Sequence, residues 1–195
     1  MARYGSEHKQ ATRQRIVESS ARRLKRDGID GAGVATLMAD AGLTNGAFYA
    51  HFASKEDLVA TAVAEQLRAQ AGSLGAQPSG AAGVEQMVRQ YLSVEHRDHR
   101  EEGCPSAALL DEIGRCSDTT KQAYTQGVLA VVDDIATRLS PDDPEAARLL
   151  TLSVYAALVG TLQLSRALTD RVLSDALLEQ GVRNALTLLG IAQAA

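Results

Sequence analysis

Residues 34 to 57 read VATLMADAGLTNGAFYAHFASKED, and this stretch decides the fold. Val34, Leu37, Met38 and Ala41 recur at helical spacing. Gly42 suits the left-handed conformation that ends one helix and redirects the chain. Thr44 offers a side-chain oxygen to cap a second helix. On that helix Phe48 and Phe52 stand four apart and share a buried face, while Asn45, Tyr49 and His51 project elsewhere. The pattern predicts a helix-turn-helix with a polar, aromatic recognition surface.

Working outward, residues 10 to 27 form a first helix with Ile16, Ser20, Ala21 and Leu24 on its inner stripe, stopped by Gly28. Residues 1 to 9 are expected as a mobile arm, with Arg3, His8 and Lys9 close to DNA backbone. Ser54 caps a further helix, and Glu56 and Asp57 fall in its first turn, where acids favour the helix dipole. Leu58, Val63 and Leu67 give that helix a buried side as far as about residue 71. Residues 72 to 83, GSLGAQPSGAAG, read as a loop. Five more helices are expected: 84 to 101, a short one opening at Pro105, 118 to 139, 144 to 168 and 171 to 192. Pro141 and Pro144 break the chain between the third and fourth of these.

Composition agrees with an all-α chain. Hydrophobic residues make up 45% of 195, aromatics only 4%, and tryptophan is absent. The net charge of −4 conceals an asymmetry: residues 1 to 55 hold nine Lys or Arg against five Asp or Glu, and the rest holds eleven against nineteen. A basic head on an acidic body suits a head that meets phosphates; the plainer alternative is that Arg22, Arg23, Lys25 and Arg26 form a solvated helix face. The polar start MARYGSEHKQ has no apolar signal core. Residues 149 to 165 are uncharged, fall just short of a membrane span and suit a helix buried in a bundle or dimer interface. Two cysteines fit a reducing, cytoplasmic setting.

Thr12-Arg13, Ile16, Gly28, the Met38-Ala39-x-Ala41-Gly42-Leu43 turn, Gly46, Phe48-Tyr49-x-His51-Phe52 and Ser54-Lys55-Glu56-x-Leu58 closely resemble the DNA-binding domain of the TetR family of bacterial transcription regulators. The resemblance covers about residues 10 to 60; beyond, it extends only to helix number and length. It implies a DNA-binding head at 1–55 and a ligand-binding and dimerisation body at 56–195. It further implies that Tyr49 and Lys55 bind phosphates and that His51 lies at the groove edge. A recognition helix presents its first residues to the bases, here Thr44, Asn45, Gly46 and Ala47. Asn45 suits adenine and Ala47 a thymine methyl. Gly33 stands where the family usually has a capping Thr or Ser, and Thr36 is the nearest hydroxyl to replace it.

One head makes too few contacts for operator affinity, so a homodimer on a near-palindromic double-stranded operator is expected. The last two helices carry apolar surface for it: Leu149, Leu152, Tyr155, Ala156, Val159 and Leu162 on one, Leu173, Leu177, Leu178, Val182, Leu186 and Leu189 on the other. By the resemblance, a small-molecule inducer occupies a body pocket, for which Met87, Tyr91, Cys104, Leu109, Leu110, Tyr124, Val128 and Tyr155 are the candidates. Pro105 places Cys104 at a helix N-cap, where backbone N–H groups favour a thiolate. A Gly-Cys opening resembles a TetR subgroup that senses electrophiles or oxidants through cysteine; the alternative is an inert cysteine filling a gap. Cys104 and Cys116 are expected about 18 Å apart if one helix of 1.5 Å rise joins them, too far to pair. No metal, cofactor or catalytic residue is expected. Two other readings stay open: a transcriptional activator of the same fold, and a small helical enzyme using the His96/Cys104 segment.

Overall fold

The computed structural model describes residues 2–74 and 77–191, and the side chains of 7–73 and 77–191. Among the described residues there is no strand. The helices are α1 (Ala2–Asp27), α2 (Val34–Asp40), a 3₁₀ helix (Asn45–Ala50), α3 (Lys55–Leu74), α4 (Gly80–Tyr91), α5 (Val94–Asp98), a 3₁₀ turn (Arg100–Glu102), α6 (Pro105–Arg115), α7 (Asp118–Leu139), α8 (Pro144–Ala167) and α9 (Arg171–Leu188). The last helix, expected to run to 192, ends at Leu188, where the chain turns through Gly190 at a positive φ of +67°.

Two apolar clusters organise these elements. The first gathers Ile16, Val17 and Leu24 of α1, Leu37 and Met38 of α2, Phe48, Phe52, and Leu58, Val63 and Leu67 of α3. Gly28 and Gly42 both adopt positive φ, +84° and +70°, as the two turns require. The first cluster also takes in Leu109 and Ile113 from α6. The second cluster is the body: Val84 and Val88 of α4, Val131, Val132 and Ile135 of α7, Leu158 and Leu162 of α8, Leu178 and Leu186 of α9.

Three expectations need correction. The first helix begins at Ala2, not near residue 10, so residues 2 to 9 expected as an arm continue α1; the side chain of Arg3 lies outside the described ones. The recognition segment is a 3₁₀ helix, and Thr44 precedes it without a side-chain capping bond. Third, 84 to 101 is not one helix. The chain breaks after Tyr91 and restarts at Val94, where Ser93 Oγ accepts the His96 N–H at 3.1 Å. A tertiary anchor then holds the end of α5: the Arg166 guanidinium donates to the carbonyls of His96 (2.7 Å), Arg97 (3.1 Å) and Ala107 (2.8 Å). Arg97, itself buried, donates to Ser174 Oγ and pairs with Asp98 and Asp175.

Helix α8 is long and apolar enough, by length and composition, to cross a membrane. It packs against α7 and α9 and divides its apolar residues between two faces. Tyr155, Val159 and Leu162 enter the body cluster, whereas Leu149, Ala156, Ala157, Gly160 and Leu164 form an exposed, uncharged stripe. On α9, Leu178, Val182 and Leu186 are buried and Val172, Leu173 and Leu188 are exposed.

Candidate functional site

The reading surface is built by the packing beneath it. Phe48 and Phe52 stack with centroids 5.8 Å apart, and the Arg13 guanidinium lies 4.6 Å from the Phe52 ring centroid. Burying these rings turns Thr44, Asn45, Gly46 and Tyr49 outward, and Ala47 half outward. Tyr49 is 76% exposed, its ring edge-on to Phe48. Thr36 is exposed on α2. Among the described residues the side chains of Thr36, Thr44 and Asn45 make no hydrogen bond, so their polar groups are free for an outside partner. Arg23 locks α1 to α2 by pairing with Asp40 at 2.6 Å and Asp27 at 2.8 Å; it holds the Asp40 carboxylate below the usual range, and Arg26 together with Arg23 does the same for Asp27. Ser54 and Asp57 form a reciprocal cap: the Asp57 N–H donates to Ser54 Oγ (3.1 Å) and the Ala53 N–H to Asp57 Oδ2 (3.0 Å).

Two predicted contact residues are placed differently from the rest. Lys55 is half-buried and its ammonium donates to the Ile29 carbonyl at 2.5 Å, tying α3 to the α1–α2 turn. His51 is half-buried, its Nδ1 lacks a partner, and burial together with Lys9 and Arg13 lowers its pKa.

Behind the head lies a cleft of about 1160 Å³ between α1, α3, α4 and residues 93–105. Met87, Tyr91 and Cys104 of the predicted pocket line it. Tyr124 and Tyr155 stand behind that wall in a hydroxyl chain. Cys104 Sγ is 3.2 Å from Tyr155 Oη, Ser106 Oγ is 3.0 Å from that oxygen, and Tyr124 Oη is 3.1 Å from Ser106 Oγ. Val128 is buried in the body cluster. Leu109 and Leu110 are corrections: α6 turns Leu109 into the head cluster and Leu110 to the surface, so neither faces the cleft. Cys104 and Cys116 cap opposite ends of α6 and are both free thiols.

His96 organises the cleft wall. Its Nε2 accepts the Cys104 N–H at 3.0 Å, so its Nδ1 carries the proton and donates to the Tyr91 carbonyl at 2.8 Å. Burial keeps this imidazole below its ordinary pKa. Both ring nitrogens are thereby used, and neither is bonded to the thiol, so His96 and Cys104 are not a base–nucleophile pair. A side chain on Gly103 would come within 2.4 Å of the His96 ring, which requires glycine there.

Sequence reasoning missed Lys25, Gln66 and Gln70, which line the cleft from α1 and α3. Lys25 is 3% exposed and is no part of a solvated face. Its ammonium donates to Gln66 Oε1 (2.7 Å) and to the Gly103 carbonyl (2.8 Å). The signal was present: Val17, Ala21 and Lys25 are spaced by four, so Lys25 continues a buried stripe.

Comparison with known proteins follows this division. Residues 16–62 match the family model "Bacterial regulatory proteins, tetR family". No curated protein matches the chain. Among solved structures, the reduced form of E. coli NemR superposes with a TM-score of 0.77 at 19% identity, covering 95% of this chain and 99% of NemR. A TetR-family regulator from Agrobacterium tumefaciens gives 0.75 at 19%, covering 95% and 100%. FadR from Bacillus subtilis, in complex with stearoyl-CoA, gives 0.64 at 14%, covering 87% and 97%. At these identities the superpositions establish a shared fold, while the family match falls on the helix-turn-helix itself. Residues 16–62 thus carry the helix-turn-helix of the tetR family of bacterial regulatory proteins, and the chain as a whole shares the fold of solved TetR-family transcriptional regulators.

Proposed function

We propose that the protein is a dimeric repressor released from a near-palindromic operator when a small molecule enters the cleft. Residues 1–55 carry the DNA contacts, and 56–195 the response and dimerisation. Asn45, Thr44, Gly46 and Ala47 read base edges, Tyr49 and Thr36 meet the backbone, and His51 lies at the groove margin. Lys55 acts chiefly by holding the α1–α2 turn, and reaches phosphate only if that bond opens. The exposed stripe of α8, with Val172 and Leu188 of α9, is the dimer face. A cytoplasmic location accords with this role.

The observation that carries the ligand response is the position of α6. Its N-cap, Cys104, walls the cleft, while Leu109 and Ile113 sit in the core of the DNA-binding head. The Glu112 carboxylate also accepts the N–H groups of Ile29 (2.6 Å) and Asp30 (3.3 Å) at the α1–α2 turn. A ligand that displaces one end of α6 therefore bears on the head at the other.

Fluorescence anisotropy with the DNA upstream of its own gene tests the repressor reading, with tight, salt-dependent, sequence-specific binding expected. A small-metabolite panel screened by thermal shift then tests the cleft. Hits should release the DNA, and Ala69→Trp, which fills the cleft, should abolish both effects. Hits that bind without releasing DNA, or that ignore Ala69→Trp, would overturn it.

A second reading has its own support, because Cys104 lies on the cleft wall. There the Cys104 thiolate attacks an electrophilic carbon, forming a C–S bond, and the displaced electron pair takes a proton from solvent. Release of DNA by N-ethylmaleimide, abolished in Cys104→Ser, is the expected result; unchanged DNA binding after full Cys104 alkylation would refute it.

A further inference from the structure

The cleft contains a buried cation without a counter-ion. Three other cationic or potentially cationic side chains on its wall have acidic partners, Arg22 with Glu102 (3.5 Å), Arg89 with Glu85 (2.8 Å) and His99 with Glu95 (3.1 Å), and His96 is held neutral by burial and its two hydrogen bonds to backbone groups. Glu18, also on the wall, accepts from Gln14 at 3.0 Å. Lys25 alone differs. Among the described residues no carboxylate comes within ion-pair distance of it, and both its hydrogen-bond acceptors are neutral amide oxygens. A second feature points the same way. Tyr91 is 6% exposed, lines the same cleft, and its hydroxyl has no oxygen or nitrogen partner among the described residues, with only the Cys104 thiol bearing on it. A buried hydroxyl left unpaired costs about 1–3 kcal/mol, which a ligand oxygen would recover. Nearby, the wall is apolar at Met87, Val131, Ala69 and Pro105.

We propose that the cleft binds an organic carboxylate, its anionic head group meeting the Lys25 ammonium and the Tyr91 hydroxyl and its apolar portion lying on Met87 and Val131. The proposal rests on the cleft being the ligand site. One cation and one hydroxyl suit a monoanion; the apolar wall suits a carbon skeleton.

The surroundings of Lys25 give the site a pH dependence. Burial pushes its pKa down to about 8. Glu102 and Glu101, on the 3₁₀ turn, favour the charged form, as does Cys104; Arg22 on α1 opposes it, and Gln66 on α3 is neutral. His96 of α5 also faces it, held neutral by its own two hydrogen bonds. At neutral pH the ammonium is retained, and a bound carboxylate raises its pKa again, so binding takes up a proton above pH 8.

The test is calorimetry on the full-length protein with 4-phenylbutyrate and its amide, 4-phenylbutanamide. The acid should bind at least about tenfold more tightly than the amide at neutral pH, as expected for a charge-assisted contact. Acid affinity should fall about five- to tenfold between about pH 7.5 and 9 while amide affinity holds. Lys25→Met should erase the preference, and Tyr91→Phe should reduce it. The wild-type arms stand even if Lys25→Met misfolds. Equal binding of acid and amide would overturn the anion assignment yet leave the cleft as a ligand site. Failure of both to bind would overturn the assignment as well, while the cleft stands or falls by the Ala69→Trp test.

Discussion

The turn at residues 44–51 and the segment 91–106 are both short, irregular and rich in polar side chains, but they treat those groups in opposite ways. In the first, Thr44 and Asn45 are exposed and unbonded, presented by a buried Phe48–Phe52 stack. In the second, Ser93, His96, Arg97, Cys104 and Ser106 are bonded to one another or to neighbouring helices. A surface that reads an outside polymer keeps its donors and acceptors open. On the proposed function, the segment that passes the signal is itself held by many mutual bonds, so a ligand must replace something to move it. Tyr91 and Lys25 are where that saturation is incomplete, and both line the cleft.

The contrast can be broken experimentally. The largest effect should come from Phe48→Ala, which removes the ring supporting the reading surface. A loss of about 3–5 kcal/mol is expected, with operator binding lost and body helices persisting in circular dichroism. Next, Ser106→Val strands the Tyr124 hydroxyl, leaves Tyr155 only its Cys104 contact, and should cost about 1–3 kcal/mol in urea unfolding. Asn45→Ala is its mirror image. Operator binding should weaken by about 1–3 kcal/mol with relaxed sequence preference, while stability stays within about 0.5 kcal/mol. A stability loss matching that of Ser106→Val would erase the distinction. Ser54→Ala should cost about 1 kcal/mol through the lost α3 cap.

The smallest effect concerns pH. Because burial lowers the His96 pKa, the unfolded chain binds that proton more readily, and stability declines as pH falls below about 6.5. Protonated Nε2 would face the Cys104 N–H donor to donor. The decline in melting temperature between about pH 7.5 and 5.5 should be shallower in His96→Gln. His51 shifts the same way and His99 the opposite way, so the comparison with the variant isolates His96.

The head was legible in sequence because its determinants are local and chemically unusual. Two phenylalanines at spacing four, a glycine turn and a Ser-x-x-Asp cap permit few alternatives. The body was legible as helices but not as a site. The break at residues 92–93 has one local mark, the Ser93 cap, which the helical spacing on either side obscured, while the Arg166 anchor that holds the end of α5 lies about seventy residues further on. Leu109 and Leu110 carry the same side chain, and only the docking of α6 against the head decides which is core. Lys25 was obscured by its basic neighbours, although its spacing from Val17 and Ala21 held the clue.

The uncharged stripe of α8 carries a consequence for abundance. If the proposed dimer forms through the face that exposes Leu149 and Leu164, the melting temperature should climb with protein concentration. The same mass action acts in the cell. Below the dimer dissociation constant, protomers would be too dilute to occupy a two-headed operator, and repression would lapse with no inducer present. The number of copies a cell maintains would then be a second input to the switch, set by the area of one helix face.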